Sequence, residues 1–129
     1  ERTAEALNSH KKAMNGSNVL VLGLAYKKNV DDQRESPSLT LIEMLQERGA
    51  HVSYHDPYVP QTHKMREHNL DMASVELSAE TLKSSDAVLI STDHDNVDYN
   101  RICELAPLVI DTRNATKNYT GNRVHIFKA

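Results

Sequence analysis

The sequence contains a single cysteine among its 129 residues, and it has no tryptophan. No internal disulfide is therefore possible, and no cysteine cluster exists that could hold zinc. Its 15 basic residues are interleaved with 18 acidic ones, which argues against a nucleic acid partner. The longest apolar run, residues 18–26, is far shorter than the roughly 20 residues that span a bilayer. The sequence therefore predicts no membrane segment and favours a cytoplasmic location.

The length and composition fit one globular domain with an ordinary core. Apolar residues make up 39% of the chain and charged residues 26%, which is typical of a folded domain without a disordered bias. Residues 1–15 have a short helical apolar stripe and begin without Met. We interpret them as the end of a helix that continues from a longer protein, and residues 16–129 as the domain itself.

Short apolar runs alternate with helical patterns along the chain. The runs predict strands near residues 18–23, 51–55, 86–91, 108–111 and 124–127, and helices near residues 37–48, 61–68, 78–83 and 98–105. Several strands have almost no polar interruption, as in a parallel sheet that is covered on both faces. The pattern predicts an α/β fold of the Rossmann-like type, a three-layer sandwich around a doubly wound, mostly parallel sheet of about five strands.

The loop between the first strand and the first predicted helix is the first candidate for chemistry. It has one glycine, Gly23, where a dinucleotide fingerprint would have three, so a simple NAD-binding turn is excluded. It also carries Lys27, Lys28 and Arg34 just before a helix N-terminus, an arrangement that suits phosphate oxygens. Three acidic residues of the same loop nearly cancel these cations. Composition alone therefore favours a solvated, charged surface loop.

A second candidate follows the fourth predicted strand, where the sequence reads Asp111-Thr112-Arg113. In a doubly wound sheet, ligands bind beyond the carboxyl ends of the strands, so Arg113 could reach the same anion as Lys27. The planar guanidinium fits a pyrophosphate, whereas the lysine would act as a point charge. An ion pair between Arg113 and a neighbouring carboxylate is an equally good interpretation.

Other polar residues give weaker signals. His51 and His55 lie about 13 Å apart by strand rise, too far to share a metal, so no metal site is predicted. His94 is interpreted as an exposed loop residue rather than a site residue. Asp56 could bind a ribose, although an Asp-Pro pair more often starts a turn. Cys103 has no obvious base beside it and is expected to be a buried thiol.

Three motifs together resemble a known family. Residues 23–37 read Gly-Leu-Ala-Tyr-Lys-Lys-Asn-Val-Asp-Asp-Gln-Arg-Glu-Ser-Pro, Gly49-Ala50 follow the helix, and residues 55–60 read His-Asp-Pro-Tyr-Val-Pro. These residues resemble the C-terminal UDP-binding domain of the UDP-glucose/GDP-mannose dehydrogenase family. They are most similar to the branch that acts on UDP-N-acetylglucosamine or UDP-glucose, and the resemblance covers essentially the whole chain. It reverses the interpretation of the charged loop as plain surface.

The resemblance implies specific roles for four residues. Tyr26 and Lys27 match the aromatic-lysine pair that contacts the nucleotide sugar, and Arg113 matches the arginine that meets the same ligand. Arg34 matches the arginine of an Arg-Glu-Ser motif that reaches NAD. The NAD itself is implied to be held mainly by an N-terminal NAD-binding domain of the same polypeptide, joined through residues 1–15. The full-length protein is implied to form a homodimer or a higher oligomer.

The implied reaction oxidises the C6 alcohol of a UDP-sugar to a carboxylate, with NAD as the oxidant. The family uses a cysteine nucleophile in a Gly-Gly-x-Cys motif, which this sequence lacks, and Cys103 does not match its context. No catalytic residue is therefore assigned here, and the 129-residue chain alone is expected to be inactive. The alternative is a stand-alone Rossmann-like module for nucleotide binding or assembly, without catalysis.

Overall fold

The computed structural model describes residues 15–24, 37–60 and 72–128. Its strands are β1 (Asn18–Leu22), β2 (His51–His55), β3 (Ala87–Ile90), β4 (Val109–Asp111) and β5 (Ile126–Lys128). Its helices are α1 (Pro37–Glu47), α2 (Ala79–Ser84) and α3 (Tyr99–Leu105). Among the described residues, no helix is long and apolar enough to cross a membrane.

The strands form one five-stranded sheet in the order β2-β1-β3-β4-β5, and every neighbouring pair is parallel. This confirms the predicted fold class. The chain moves outward from β1 to β2 on one side and then returns to place β3 on the other side of β1. Leu22, the last residue of β1, is in register with His55 and Ile90. The carboxyl ends of these three strands therefore lie at one edge of the sheet.

Side-chain alternation along the strands builds a core on each face of the sheet. Val19 and Val21 of β1 pack into one core together with the stripe of α1, which consists of Leu39, Ile42 and Leu45. Leu20 and Leu22 point to the opposite core, which contains Leu82 of α2 and Ile102 of α3. The central strands are buried on both faces because helices cover both sides, as their continuous apolar runs predicted.

Helix ends follow the local sequence signals. Gly49, just after α1, has a φ of 89°, the left-handed conformation that glycine adopts without a steric penalty. Ser78 caps α2 by accepting a hydrogen bond from the backbone N–H of Thr81. Asp98 caps α3 by accepting one from the N–H of Arg101. These caps satisfy backbone donors that have no partner within the helix.

The last predicted strand is displaced along the chain. The sequence predicted residues 124–127, but β5 is Ile126–Lys128, and Val124 and His125 lie in a turn. The turn is closed by a hydrogen bond from the N–H of Ile126 to the carbonyl of Arg123. β-branched Val124 resembles a strand residue in sequence but is exposed in this turn. The predicted helical segments at residues 1–15 and 61–68 fall almost entirely outside the described residues.

Candidate functional site at the carboxyl edge of the sheet

The strand order reverses between β1 and β3, and the loops that leave these strands bound a crevice at the carboxyl edge. In sheets with this order, ligands bind at that reversal point. The carbonyl of Leu22 accepts hydrogen bonds from the N–H groups of Ser91 (2.9 Å) and Thr92 (3.1 Å). The loop after β3, residues 91–94, is therefore fixed to the end of β1. We call residues 91–94 the β3 loop.

Gly23 allows the β3 loop to lie directly against the turn after β1. Its φ is 87°, and a Cβ atom at this position would lie 2.4 Å from the Cβ of Thr92 and 2.5 Å from the Thr92 carbonyl oxygen. In a dinucleotide-binding turn, glycines let a pyrophosphate approach the backbone. Here Thr92 fills the space beside Gly23 into which a pyrophosphate would have to fit. The described start of this turn therefore does not fit the pyrophosphate of NAD.

The N-terminus of α1 also faces the β3 loop. The hydroxyl oxygens of Ser38, in the first turn of α1, and Ser91 lie 2.5 Å apart and share a hydrogen bond. The first turn of a helix carries unpaired N–H groups and a partial positive charge, which favours anions. The serine pair thus places the positive end of an 11-residue helix beside the crevice.

Arg113 lies beyond the end of β4 and reaches the same loop. Its Nε donates a hydrogen bond to the carbonyl of Ser91 at 2.9 Å, and the side chain is exposed. Among the described residues, none forms an ion pair with Arg113. The interpretation of Arg113 as half of a carboxylate pair is therefore not supported. Its terminal N–H groups remain available at the carboxyl edge, where they could bind an anion through two parallel hydrogen bonds.

Asp111 orients the backbone from which Arg113 projects. Its side chain is buried, and Oδ1 accepts hydrogen bonds from the N–H groups of Arg113 (3.0 Å) and Ala115 (3.1 Å). Oδ2 accepts from the N–H and the hydroxyl of Thr116, at 2.9 and 2.7 Å. Burial acts to raise the pKa of Asp111, but these hydrogen bonds outweigh it and lower the pKa below its ordinary value. Asp111 is therefore a structural carboxylate whose charge fixes the turn.

This lowered pKa predicts a specific acid sensitivity. A carboxyl group whose folded pKa is depressed stabilises the fold fully above its unfolded pKa of about 3.9 and loses that contribution as pH falls through the folded pKa. We expect the free energy of unfolding to fall below about pH 4, and Asp111→Asn to reduce this dependence while destabilising the chain at pH 7. Urea titrations monitored by circular dichroism from pH 7 to pH 2.5 test this. An unchanged pH dependence in Asp111→Asn would contradict it.

Asp56 and His94 form a buried pair on the other side of the crevice. His94 Nε2 lies 2.8 Å from Asp56 Oδ2, and the two side chains are 1% and 0% exposed. The prediction that His94 is an exposed loop residue is wrong, because its side chain is buried and its ring contacts that of Tyr58, with 4.8 Å between the ring centroids. Asp56 does start a turn, through a hydrogen bond from the N–H of Tyr58 to Oδ1. Its buried carboxylate cannot contact a ribose, so that alternative is wrong.

Sequence reasoning missed the pairing of Asp56 with His94 and the role of Ser91. Asp56 directly follows β2, and the β3 loop that contains His94 directly follows β3. Once the strand order is known, these positions predict that the two residues lie at the same edge of the sheet, on either side of β1. The other predicted site residues, Tyr26, Lys27 and Arg34, lie outside the described residues. Cys103 is buried as expected, and burial raises the pKa of its thiol to about 11. Such a thiol is a poor nucleophile at neutral pH.

The described residues contain no group of three or more side chains placed to hold a metal ion. His51 and His55 point into different surroundings. His51 is exposed, whereas Nδ1 of His55 lies 2.8 Å from the carbonyl of Val75. The polar groups at the described carboxyl edge include the Arg113 side chain, the N-terminus of α1 and serine hydroxyls, which are types of group that can bind anions.

Residues 20–118 match the sequence profile of the UDP-glucose/GDP-mannose dehydrogenase family, UDP binding domain. The chain is 32% identical over 109 residues to UDP-glucose 6-dehydrogenase of Rickettsia bellii, covering 81% of this chain and 25% of that protein. It is 37% identical over 106 residues to UDP-N-acetyl-D-mannosamine dehydrogenase of Methanococcus maripaludis, covering 74% and 22%. The chain thus spans about a quarter of the length of these relatives.

Solved structures show the same relationship. An NDP-N-acetyl-D-galactosaminuronic acid dehydrogenase from Methanosarcina mazei superimposes with a TM-score of 0.75 at 26% identity, covering 98% of this chain and 27% of that one. A UDP-D-ManNAc dehydrogenase from Pyrococcus horikoshii gives a TM-score of 0.73 at 27% identity, covering 96% and 28%. These matches, together with the family profile, show that the chain belongs to the UDP-glucose/GDP-mannose dehydrogenase family and contains its UDP-binding domain.

Proposed function

We propose that this chain is the C-terminal UDP-sugar-binding domain of an NAD-dependent nucleotide-sugar 6-dehydrogenase. The full-length protein would oxidise UDP-N-acetylglucosamine or UDP-glucose at C6 to the uronic acid. The observation that supports this best concerns Arg113: the carbonyl of Ser91 holds its Nε at the carboxyl edge, and it forms no ion pair among the described residues. A fixed guanidinium fork matches the paired oxygens of a diphosphate.

The proposed site combines three sources of positive potential. Arg113 binds the diphosphate through its fork, and the N-terminus of α1 adds its dipole beside Ser38. Tyr26 and Lys27, which follow β1 in sequence, are proposed to contact the nucleotide sugar, and Lys27 adds the third source of positive potential. Binding of the sugar nucleotide at this edge would hold it against the domain that carries the reacting groups. Orientation of this kind can supply a large part of a rate enhancement.

The redox chemistry is proposed to lie outside this chain. Oxidation of the C6 alcohol to a carboxylate takes two hydride transfers, for which two NAD molecules in turn would serve as acceptors, and an N-terminal NAD-binding domain of the same polypeptide would hold most of each bound NAD. Residues 1–15 would form the end of the connecting helix, and residues 16–129 the UDP-sugar-binding domain. Arg34 is the residue of this chain that we assign to the cofactor side. The full-length protein is proposed to be a cytoplasmic homodimer or higher oligomer.

Steady-state NADH production by the full-length protein tests this function. UDP-glucose, UDP-N-acetylglucosamine and UDP-N-acetylmannosamine should be compared, since relatives named for glucose and mannosamine nucleotides both match this chain. We expect turnover with one of the first two. Turnover with only the third would contradict our choice of sugar but not the reaction. Binding of UDP without any turnover would favour the alternative of a binding or assembly module.

The 129-residue chain alone is expected not to oxidise any of these sugars with NAD. It lacks the Gly-Gly-x-Cys motif, its single cysteine is a buried thiol, and the turn after β1 does not fit a dinucleotide. Absorbance of NADH at high enzyme concentration is the measurement, and full-length protein is the positive control. Steady turnover that copurifies with the chain and survives a mock purification from the same host would overturn the domain assignment.

Arg34→Ala in the full-length protein is expected to raise the KM for NAD more than the KM for the UDP-sugar. The reason is its proposed contact with the cofactor rather than with the substrate. A loss of one charge-assisted contact corresponds to about a tenfold change or more. Arg113→Ala is the matched comparison, and it should raise the KM for the UDP-sugar more than the KM for NAD. Equal changes of both KM values in Arg34→Ala would indicate that Arg34 only shapes the loop.

A further inference from the structure

We propose that Asp56 and His94 are positioning residues for this site, acting through the β3 loop on Arg113. The inference rests on the proposed function, because it concerns the same UDP-binding edge. Neither residue is proposed to touch the ligand, since both side chains are buried. Their role is to fix the loop whose carbonyl holds the arginine.

The carboxylate of Asp56 has hydrogen-bond partners in three different loops. Asp56 Oδ2 accepts the N–H of Leu24 at 2.7 Å and lies 2.8 Å from His94 Nε2, while Oδ1 accepts the N–H of Tyr58. A carboxylate that receives backbone N–H groups at both oxygens acts as an acceptor only. In the tautomer with a proton on Nε2, His94 donates the third hydrogen bond to this carboxylate. The carboxylate thus connects the turn after β1, the turn after β2 and the β3 loop.

The β3 loop transmits this connection to Arg113. The last residue of the loop, His94, is held at two points. Its side chain bonds to Asp56, and its carbonyl accepts a hydrogen bond from the Tyr99 hydroxyl at 2.9 Å. Thr92, in the middle, lies against Gly23 without space for one extra carbon atom. Ser91, at the start, accepts the Nε of Arg113 and shares a hydrogen bond with Ser38. Because contacts fix the loop at each of these points, a displacement of His94 should also displace the carbonyl of Ser91, which orients Arg113.

The pair is better explained by orientation than by stability alone. Desolvation of two buried polar side chains offsets much of what their hydrogen bond gains, and apolar residues of similar volume often stabilise a core equally well. Apolar residues cannot donate or accept directed hydrogen bonds. At this position those bonds join three consecutive strand ends of the sheet, β2, β1 and β3, on the edge where the ligand is proposed to bind.

Titration calorimetry of the full-length protein with UDP tests the inference. His94→Leu removes the hydrogen bond to Asp56, and His94→Gln can restore a donor close to the Nε2 position. Each is made alone and in the Arg113→Ala background. Ser85→Ala is the control, because it removes a partly buried hydrogen bond, from Ser85 to the carbonyl of Thr81 at 2.8 Å, near the opposite edge of the sheet. Thermal unfolding is recorded for every variant.

We expect His94→Leu to weaken UDP binding about three- to tenfold, His94→Gln to restore most of the affinity, and Ser85→Ala to leave it unchanged. In the Arg113→Ala background the effect of His94→Leu should fall below about twofold, because both changes remove the same contact. If His94→Leu does not fold, Asp56→Asn takes its place with the same expectations.

Two results would overturn the inference while leaving the proposed function intact. One is a His94→Leu protein with a lower Tm but wild-type UDP affinity, which would indicate a purely structural pair. The other is an equal loss of affinity with and without Arg113, which would show that the pair does not act through the arginine. Wild-type protein that fails to bind UDP would instead overturn the proposed function, and the positioning role with it.

Discussion

Arg113→Ala in the full-length protein is expected to weaken binding of the UDP-sugar about ten- to a hundredfold. A charge-assisted hydrogen bond to phosphate contributes on the order of 1.5 to 3 kcal/mol, which corresponds to that range. The guanidinium is already oriented by Ser91, so little side-chain freedom is lost when the ligand binds. Arg113→Lys should give an intermediate loss, since it keeps the charge but not the fork.

Lys27 provides the second half of this prediction. It follows β1 by five residues in sequence, and Arg113 follows β4 by two, so both come after strands whose carboxyl ends lie at the same edge of the sheet. Lys27 lies outside the described residues, and its role remains a prediction. Calorimetry should compare Lys27→Ala, Arg113→Ala and the double mutant, with Lys28→Ala as the neighbouring-charge control.

The affinities of these variants distinguish a shared anion site from its alternatives. A loss in Lys28→Ala as large as that in Lys27→Ala would mean that the loop acts through general positive charge. Unchanged affinity in Arg113→Ala would contradict the shared site itself. A double mutant no weaker than either single mutant would indicate that the two cations act as one unit on the same anion.

Gly23→Ala is expected to destabilise the chain by about 2 to 5 kcal/mol, the sum of a left-handed backbone penalty and overpacking. The φ of Gly23 is 87°, and the added carbon would meet both the side chain and the backbone of Thr92 within 2.7 Å. Shortening the Thr92 side chain would not relieve this clash, since two of the three nearest atoms belong to the backbone. Urea unfolding of the 129-residue chain, followed by circular dichroism, measures the effect.

Gly16→Ala is the matched control for this prediction. Gly16 has nearly the same φ, 86°, but an added Cβ would meet nothing within 4 Å. Its cost should be limited to the backbone penalty of about 1 to 2 kcal/mol. Equal destabilisation by the two substitutions would show that contact with Thr92 does not matter. The conclusion that the β3 loop packs tightly against Gly23 would then be wrong.

The fold could be predicted well because it depends on local patterns. The apolar runs that became β1 and β3 are buried on both faces, and the α1 stripe of Leu39, Ile42 and Leu45 is fully buried. The prediction for β5 was less accurate because Val124 has a strand-forming side chain but lies in a turn closed by backbone hydrogen bonds. Backbone hydrogen bonding of this kind is not written in the side-chain pattern.

The site could be predicted only where one residue carries the signal. Arg113 follows an evident buried strand, so its place at the carboxyl edge could be inferred from sequence. The buried pair could not, because Asp56 and His94 are 38 residues apart and meet only when β1 lies between β2 and β3. Taken singly, an Asp before proline indicates a turn and a His between acidic residues indicates surface. Strand order, a long-range property, changes both interpretations.

Hydrogen–deuterium exchange of the full-length protein with and without saturating UDP reports which edge of the sheet meets the ligand. We expect UDP to slow exchange in the β3 loop, residues 91–94, and in residues 112–114. Segments at the opposite edge, residues 51–53 and 84–86, should exchange at unchanged rates. Protection of the opposite edge, or of neither edge while UDP is bound, would contradict the account.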